Sequence, residues 1–337
     1  MAAWSDARLA GYVLVAPLRF DHPADGPVLA HLGVGGVVLF GATVPADLEA
    51  RLSALHTASS PRALVMVDEE GGAIQRLASV VGSMPSARTM GATLDPTQIR
   101  ALAARTAARL RALGVDVDLA PVLDLDDGPG PDATHPVGTR SFGTDPDLVA
   151  ADALAFAHGL SDARIVPVVK HFPGLGGATS NTDTGAAATL PWSTLRSRGL
   201  RPFAAAVHDG IGVVMVSQAT VPGLTSLPAS LSPSVIGTVL RGSLGFRGVV
   251  MTDSLSAGAL GDAGYTVPSA AVAALRAGAD VLLIGGGTTR DPVALTTATR
   301  DGIVRAVRSG TLSRSLIVEA ATRLVTLAGV DLCASAR

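Results

Sequence analysis

The chain has 337 residues, 48% hydrophobic and only 16% charged, so it can bury a large core and does not have the composition of a disordered chain. Aromatics are only 3%, leaving Ala, Val, Leu and Gly as the apolar bulk, a mix suited to a parallel sheet wrapped by Ala-rich helices rather than a β-sandwich. A formal net charge of -2 argues against a broad nucleic-acid surface, and the single cysteine, Cys333, excludes an internal disulfide and a Cys-based zinc pattern.

The first apolar run, Leu9 to Leu18, has no basic leader region or cleavage site and, at about ten residues, is too short to span a bilayer. It reads as the first barrel strand, centred on Tyr12–Ala16, in a cytoplasmic protein that does not contact a membrane. Gly33-Val34-Gly35-Gly36 comes before the second strand, Val37–Phe40, which is the wrong side for a dinucleotide fingerprint. It reads as a turn, and no cofactor is expected. A helix over Ala46–His56 follows Pro45, a residue suited to a first helical turn. The third strand, Ala63–Val67, runs into Asp68-Glu69-Glu70-Gly71-Gly72-Ala73-Ile74-Gln75-Arg76. Three adjacent carboxylates repel unless they face partners or substrate, and the glycines allow a turn that returns Arg76 toward Asp68.

A long amphipathic helix, Gln98–Leu113, ends at Gly114, and the fourth strand is Val115–Ala120. The loop after it holds Asp124, Asp126, Asp127, Asp132 and Arg140-Ser141-Phe142-Gly143. Its acids do not have calcium-loop spacing, so no metal is expected. After a helix over Asp147–Gly159, the fifth strand Ile165–Val169 leads into Lys170-His171-Phe172-Pro173-Gly174. Helix Leu200–Asp209 and strand Val213–Val216 follow, the strand ending at Ser217 and Gln218. Helix Pro233–Leu244 precedes strand Val249–Met251, just before Asp253. Helix Ser269–Ala277, strand Val281–Ile284 and helices Pro292–Ser309 and Ser313–Leu327 complete the chain. Eight β/α units with no break in composition predict a single-domain (β/α)8 TIM-like barrel over residues 1–337.

Barrel active sites gather at the C-terminal strand ends, where Asp68, Asp124, Lys170, His171, Gln218 and Asp253 fall. A carboxylate such as Asp253 at a barrel mouth can attack an anomeric carbon, though an Asp at a βα junction also caps helices. Lys170 can hold sugar hydroxyls, pair with a neighbouring strand-end acid, or, if desolvated, form a Schiff base as in an aldolase-like lyase.

Together these segments resemble the family 3 glycoside hydrolases, specifically the single-domain β-N-acetylglucosaminidase branch. The resemblance is carried by Gly36-Val37-Val38-Leu39-Phe40, Val67-Asp68-Glu69-Glu70-Gly71-Gly72, Asp118-Leu119-Ala120-Pro121-Val122-Leu123-Asp124 and Arg140-Ser141-Phe142-Gly143-Thr144-Asp145-Pro146. It continues in Lys170-His171-Phe172-Pro173-Gly174, Pro228-Ala229-Ser230-Leu231-Ser232, Leu244-Gly245-Phe246-Arg247-Gly248 and Met251-Thr252-Asp253-Ser254-Leu255, in order from about residue 11 to 286. It implies that Asp253 is the nucleophile and that Asp68, Arg76, Arg140, Lys170 and His171 hold the sugar. The expected partner is a small carbohydrate or glycoconjugate, not a nucleic acid or a membrane; the oligomeric state is unknown from sequence.

The chain departs from that branch in one loop. The family continues His-Gly and then Asp-Ser-His, whose Asp–His pair is its acid/base. Here Leu175 replaces the first His, Asn181-Thr182-Asp183 replaces Asp-Ser-His, and Gln218 stands where the resemblance implies a His after the sixth strand. Asp183 is the candidate acid/base. Gly174, Gly176 and Gly177 allow its loop either to close on substrate or to make a static turn. The readings that follow are a retaining β-N-acetylhexosaminidase using Asp253 and Asp183, a repurposed or catalytically impaired sugar-binding protein, and a Lys170 lyase.

Overall fold

The computed structural model describes residues 1, 3–285 and 291–329, so Cys333 lies outside the described residues. Its frame is eight parallel strands: β1 (Leu14–Arg19), β2 (Gly36–Phe40), β3 (Leu64–Val67) and β4 (Val117–Asp118). These are followed by β5 (Val166–Pro167, resuming as Val169–Phe172), β6 (Val213–Val216), β7 (Val249–Thr252) and β8 (Leu282–Leu283). Each strand from β1 to β6 pairs with the next, β8 pairs with β1, and a bridge from Met251 to Val281 joins β7 to β8. The ring closes as a (β/α)8 TIM-like barrel. The strands are apolar on both faces because the core fills one side and the helices cover the other; Val37, Val38, Val65, Val213 and Val250 are all buried.

Helix boundaries follow from local capping chemistry. Asp95 accepts the Gln98 N–H while Gln98 reaches back to the Asp95 N–H. Pro96 opens the helix Pro96–Leu113, and Gly114 ends it at φ 94. Thr266 and Ser269 form the same box ahead of Val267–Ala277.

Four sequence expectations need correction. The Leu9–Leu18 run is not all strand: Asp6–Tyr12 is helical, capped by the Ser5 hydroxyl, and β1 begins at Leu14. A helix at Asp25–Leu32, absent from the expected set, links β1 to β2; Gly26 and Pro27 mask it in sequence but fall in its first turn, where Pro is tolerated. The helix after Pro45 begins only at Leu48. Ser234–Ser243 is π-helical rather than α-helical. Among the described residues, no helix is long and apolar enough to cross a membrane.

The N-terminal end of the barrel, its floor, is closed by one arrangement used twice. Asp116, just before β4, accepts the Val65 N–H of β3 at 3.0 Å and is held by Arg62 and Arg111 at 2.8 Å each. Asp280, just before β8, accepts the Val250 N–H of β7 at 2.8 Å and is held by Arg241 at 2.6 Å and Arg323 at 2.7 Å.

Candidate active site

At the opposite end of the barrel, a cavity of about 360 Å³ opens at the C-terminal ends of the strands. All seven expected site residues line it: Asp68 and Arg76 after β3, Arg140 in the loop after β4, Lys170 and His171 on β5, Asp183 in the loop after β5, and Asp253 after β7. Val38, Phe40, Leu119, Met215 and Leu283 supply apolar wall.

The Asp68-Glu69-Glu70 run resolves its repulsion by alternation. Successive side chains of an extended segment point to opposite sides, so Asp68 and Glu70 share one side, where both meet Lys170, and Glu69 turns to the other. Lys170 Nζ donates to Asp68 Oδ1 at 2.8 Å and lies 2.6 Å from Glu70 Oε1. Arg140 grips Glu70 with two parallel bonds of 2.8 Å, the bidentate geometry a guanidinium provides. Burial alone would raise the Glu70 carboxyl, but Arg140 and Lys170 hold it well below the usual carboxylate range. Burial likewise opposes the charge on Lys170, and Asp68 with Glu70 outweighs it, holding the ammonium above its ordinary value. A Schiff base needs a free amine, so the lyase reading has no support in this geometry.

Glu69 accepts the Leu77 N–H, and its own N–H donates to Asp118 Oδ1 at 2.9 Å. Glu69 Oε2 and Asp118 Oδ2 are buried without a hydrogen-bond partner. Burial pushes Glu69 up to about 7 and Asp118 well above the ordinary carboxylate range, and the backbone bonds offset it only in part.

Asp124, fully buried, accepts the backbone N–H of Leu175 at 2.7 Å and of His171 at 3.2 Å, and meets His171 Nδ1 at 2.7 Å. Arg140 Nη2 approaches His171 Nε2 at 3.2 Å. A guanidinium can only donate, so the network assigns the ring proton to Nδ1 and the lone pair to Nε2. Arg76 is returned to Asp68 by a hairpin in which Glu69–Gly71 pairs with Ile74–Gln75, and its N–H bonds the Asp68 carbonyl at 3.2 Å. Gly71 is required there: at φ 93, any Cβ would sit 2.3 Å from the Pro85 carbonyl oxygen. The Arg76 guanidinium lies 5.7 Å from the Phe40 ring centre, and its buried Nε has no hydrogen-bond partner.

Asp253 is fixed by its N–H to the Val216 carbonyl at 2.8 Å, and its Oδ1 accepts the Ser254 N–H at 2.6 Å. The protein around the Asp183 carboxyl, and then the charge of Asp253, push it above the ordinary carboxylate range against the pull of Arg140. The Asp183 loop is pinned on both sides. Gly258 and Ala259 donate N–H to the carbonyls of Asp183 and Thr182 at 3.0 Å, and Asn181 donates to Ala133 at 3.0 Å. Leu175 packs with Val122, Val137, Ala178, Ala187 and Ala219 beneath it. A Cβ on Gly176 would fall 1.9 Å from the Leu125 carbonyl oxygen. Gly176 therefore serves close packing, as a static turn requires.

Three residues of the network were not among the expected site residues. Glu70 and Asp124 carry a legible signal: one sits two places along an extended run from Asp68, and the other is a strand-end acid. Gln218 is legible as a polar strand-end residue, but its contacts are not, because two of its three partners are backbone carbonyls. Its buried amide donates to the carbonyl oxygens of Asp253 at 2.8 Å and Ser254 at 3.2 Å, and accepts from the Ser230 hydroxyl.

Residues 15–327 match the glycosyl hydrolase family 3 N-terminal domain. The β-hexosaminidase LpqI of Mycobacterium tuberculosis is 37% identical over 310 residues, 90% of this chain and 77% of that protein. A β-hexosaminidase of Stenotrophomonas maltophilia is 37% identical over 265 residues, 76% of this chain and 77% of its own. Among solved structures, a glycosyl hydrolase from Mycobacterium smegmatis superposes with a TM-score of 0.87 at 36% identity, covering 97% of this chain and 98% of the other. A β-N-acetylhexosaminidase from Beutenbergia cavernae gives 0.87 at 30% identity, with 98% and 100% covered.

Proposed function

The chain belongs to glycosyl hydrolase family 3, and from that premise we propose that it is a retaining β-N-acetylhexosaminidase with Asp253 as nucleophile and Asp183 as acid/base. One observation carries the reading: Asp253 and Asp183 line one cavity, and the charge of the first favours a proton on the second. Environments that drive two carboxyls apart in acidity divide the roles of nucleophile and acid between them.

In the first step an Asp253 carboxylate oxygen forms a bond to the anomeric carbon as the glycosidic bond breaks. The leaving oxygen departs with the Asp183 proton. In the second, Asp183, now a carboxylate, takes a proton from water as that water's oxygen attacks the same carbon and releases Asp253. Asp68, Arg76, Arg140, Lys170 and His171 surround the sugar. Lys170 and Arg140 are already bonded to Asp68 and Glu70, so they act less as free donors than as fixed charges that orient those acids. Arg76, with an unused Nε–H, is the wall best prepared to donate to a hydroxyl or acetamido oxygen.

The test is a series of aryl N-acetyl-β-glucosaminides of graded leaving-group acidity, assayed with the parent and Asp183→Ala. The variant should lose about 10²–10⁴-fold on poor leaving groups, keep the first step on activated ones, and form glycosyl azide when azide is added. Equal rates across the series would remove Asp183 from the mechanism. A parent that turns over only activated substrates would favour the repurposed or impaired reading.

A further inference from the structure

We propose that Gln218, held by Ser230, is a positioning residue that sets which oxygen of Asp253 attacks the sugar; the inference rests on Asp253 being the nucleophile. Gln218 is buried, and its three polar contacts fix its orientation. The Ser230 hydroxyl donates to Oε1, so Nε2 must face the carbonyl oxygens of Asp253 and Ser254. The Asp253 carbonyl and the Ser254 N–H belong to one planar peptide unit and point in opposite directions. Holding the carbonyl toward Gln218 therefore aims the Ser254 N–H the other way, onto Asp253 Oδ1 at 2.6 Å. That bond occupies Oδ1 and turns Oδ2 into the oxygen available for bond formation. The Asp253 N–H is tied to Val216 on the neighbouring strand, so the residue is gripped on both sides of its α-carbon.

Ser230 is bound into the same unit: its N–H donates to the Ser217 carbonyl at 3.0 Å, next to Gln218. An amide offers two protons from one nitrogen and can bridge both carbonyls. An imidazole at this position would present one N–H along one direction.

The experiment measures how fast Asp253 is labelled by an activated 2-deoxy-2-fluoro-β-glucosyl fluoride, alongside N-acetylglucosamine affinity by calorimetry, in the parent, Gln218→Met, Gln218→His and Ser230→Ala. Methionine keeps the side-chain length without the amide. Labelling should slow about 10²-fold in Gln218→Met, with sugar affinity within twofold of the parent, as expected when a reacting atom is misplaced. Gln218→His should fall between the two, and Ser230→Ala should slow labelling less than Gln218→Met does. Ser230→Ala also supplies the answer if Gln218→Met does not fold. Parent-rate labelling of Asp253 in Gln218→Met and Ser230→Ala would overturn the inference while leaving the nucleophile in place. Label on another carboxylate of the parent would overturn the nucleophile reading and this inference with it.

Discussion

The two ends of the barrel both bury carboxylates beside arginines, and they use them to opposite purposes. At the floor, Asp116 and Asp280 each meet two arginines and a strand N–H, and Asp116 also lies 3.3 Å from His56 Nε2. At the mouth the pairing is incomplete. Arg76 Nε has no hydrogen-bond partner, Asp183 is charge-coupled to Asp253, and Glu69 and Asp118 each keep one unbonded oxygen. A saturated cluster seals strands together; an unsaturated one leaves donors and acceptors for a ligand or for chemistry.

The sharpest way to break that contrast is Asp253→Asn. The amide is nearly isosteric but has no anionic oxygen, so turnover and fluorosugar labelling should fall by several orders of magnitude while the thermal midpoint stays within a few degrees. A variant that unfolded would put Asp253 with the floor. The floor counterpart, Asp280→Ala, leaves Arg241 and Arg323 without their shared anion. It should lose about 3–5 kcal/mol of stability by urea titration while kcat/KM per folded molecule is unchanged. A selective fall in kcat with full stability would contradict the division.

Glu69 tests the boundary between the two classes. Burial pushes its carboxyl up to about 7 from the ordinary 4.5, so the fold holds a proton that the unfolded chain releases. Stability from this group is therefore lost as pH rises from 4.5 through about 7, and the loss is complete above that. Glu69→Gln, permanently neutral, should flatten that fall and be more stable than the parent at pH 8 by up to about 3 kcal/mol. Asp118, also raised, would retain some of the slope. Identical urea midpoints at pH 5 and pH 8 in parent and variant would show that Glu69 is not the group responsible. The smallest effect is expected at Arg76→Ala. Sugar affinity should weaken by about 1.5–3 kcal/mol in calorimetry, with stability nearly unaffected. Unchanged affinity would make Arg76 a packing partner of Phe40.

The sequence marks the mouth far better than the floor. Strand runs such as Val213–Val216 end in polar residues, and that break from apolar to polar pointed to Lys170, His171 and Asp253 before any contact was known. Asp116 sits inside an apolar strand run and Asp280 just before another, where nothing distinguishes a sealed acid from a solvent-facing one. Gln218 is legible as a strand-end residue and as a departure from the resembled family, but its role is not. Its partners are carbonyls 35 and 36 residues away, and no side-chain pattern encodes a backbone acceptor. In the altered loop the glycines are legible, but the satellite cluster around Leu175 is not, because it joins residues spread from Val122 to Ala219.

The repeated floor arrangement divides the molecule in a way its function does not. Arg62, Val65, Arg111 and Asp116 all precede the long loop after β4; Arg241, Val250, Asp280 and Arg323 all follow it. Each half of the chain therefore carries its own complete seal. The cavity belongs to neither half: Asp68 and Arg76 precede that loop, Arg140 lies within it, and Lys170, His171, Asp183 and Asp253 follow it. The cavity is complete only where the residues before, within and after that loop come together.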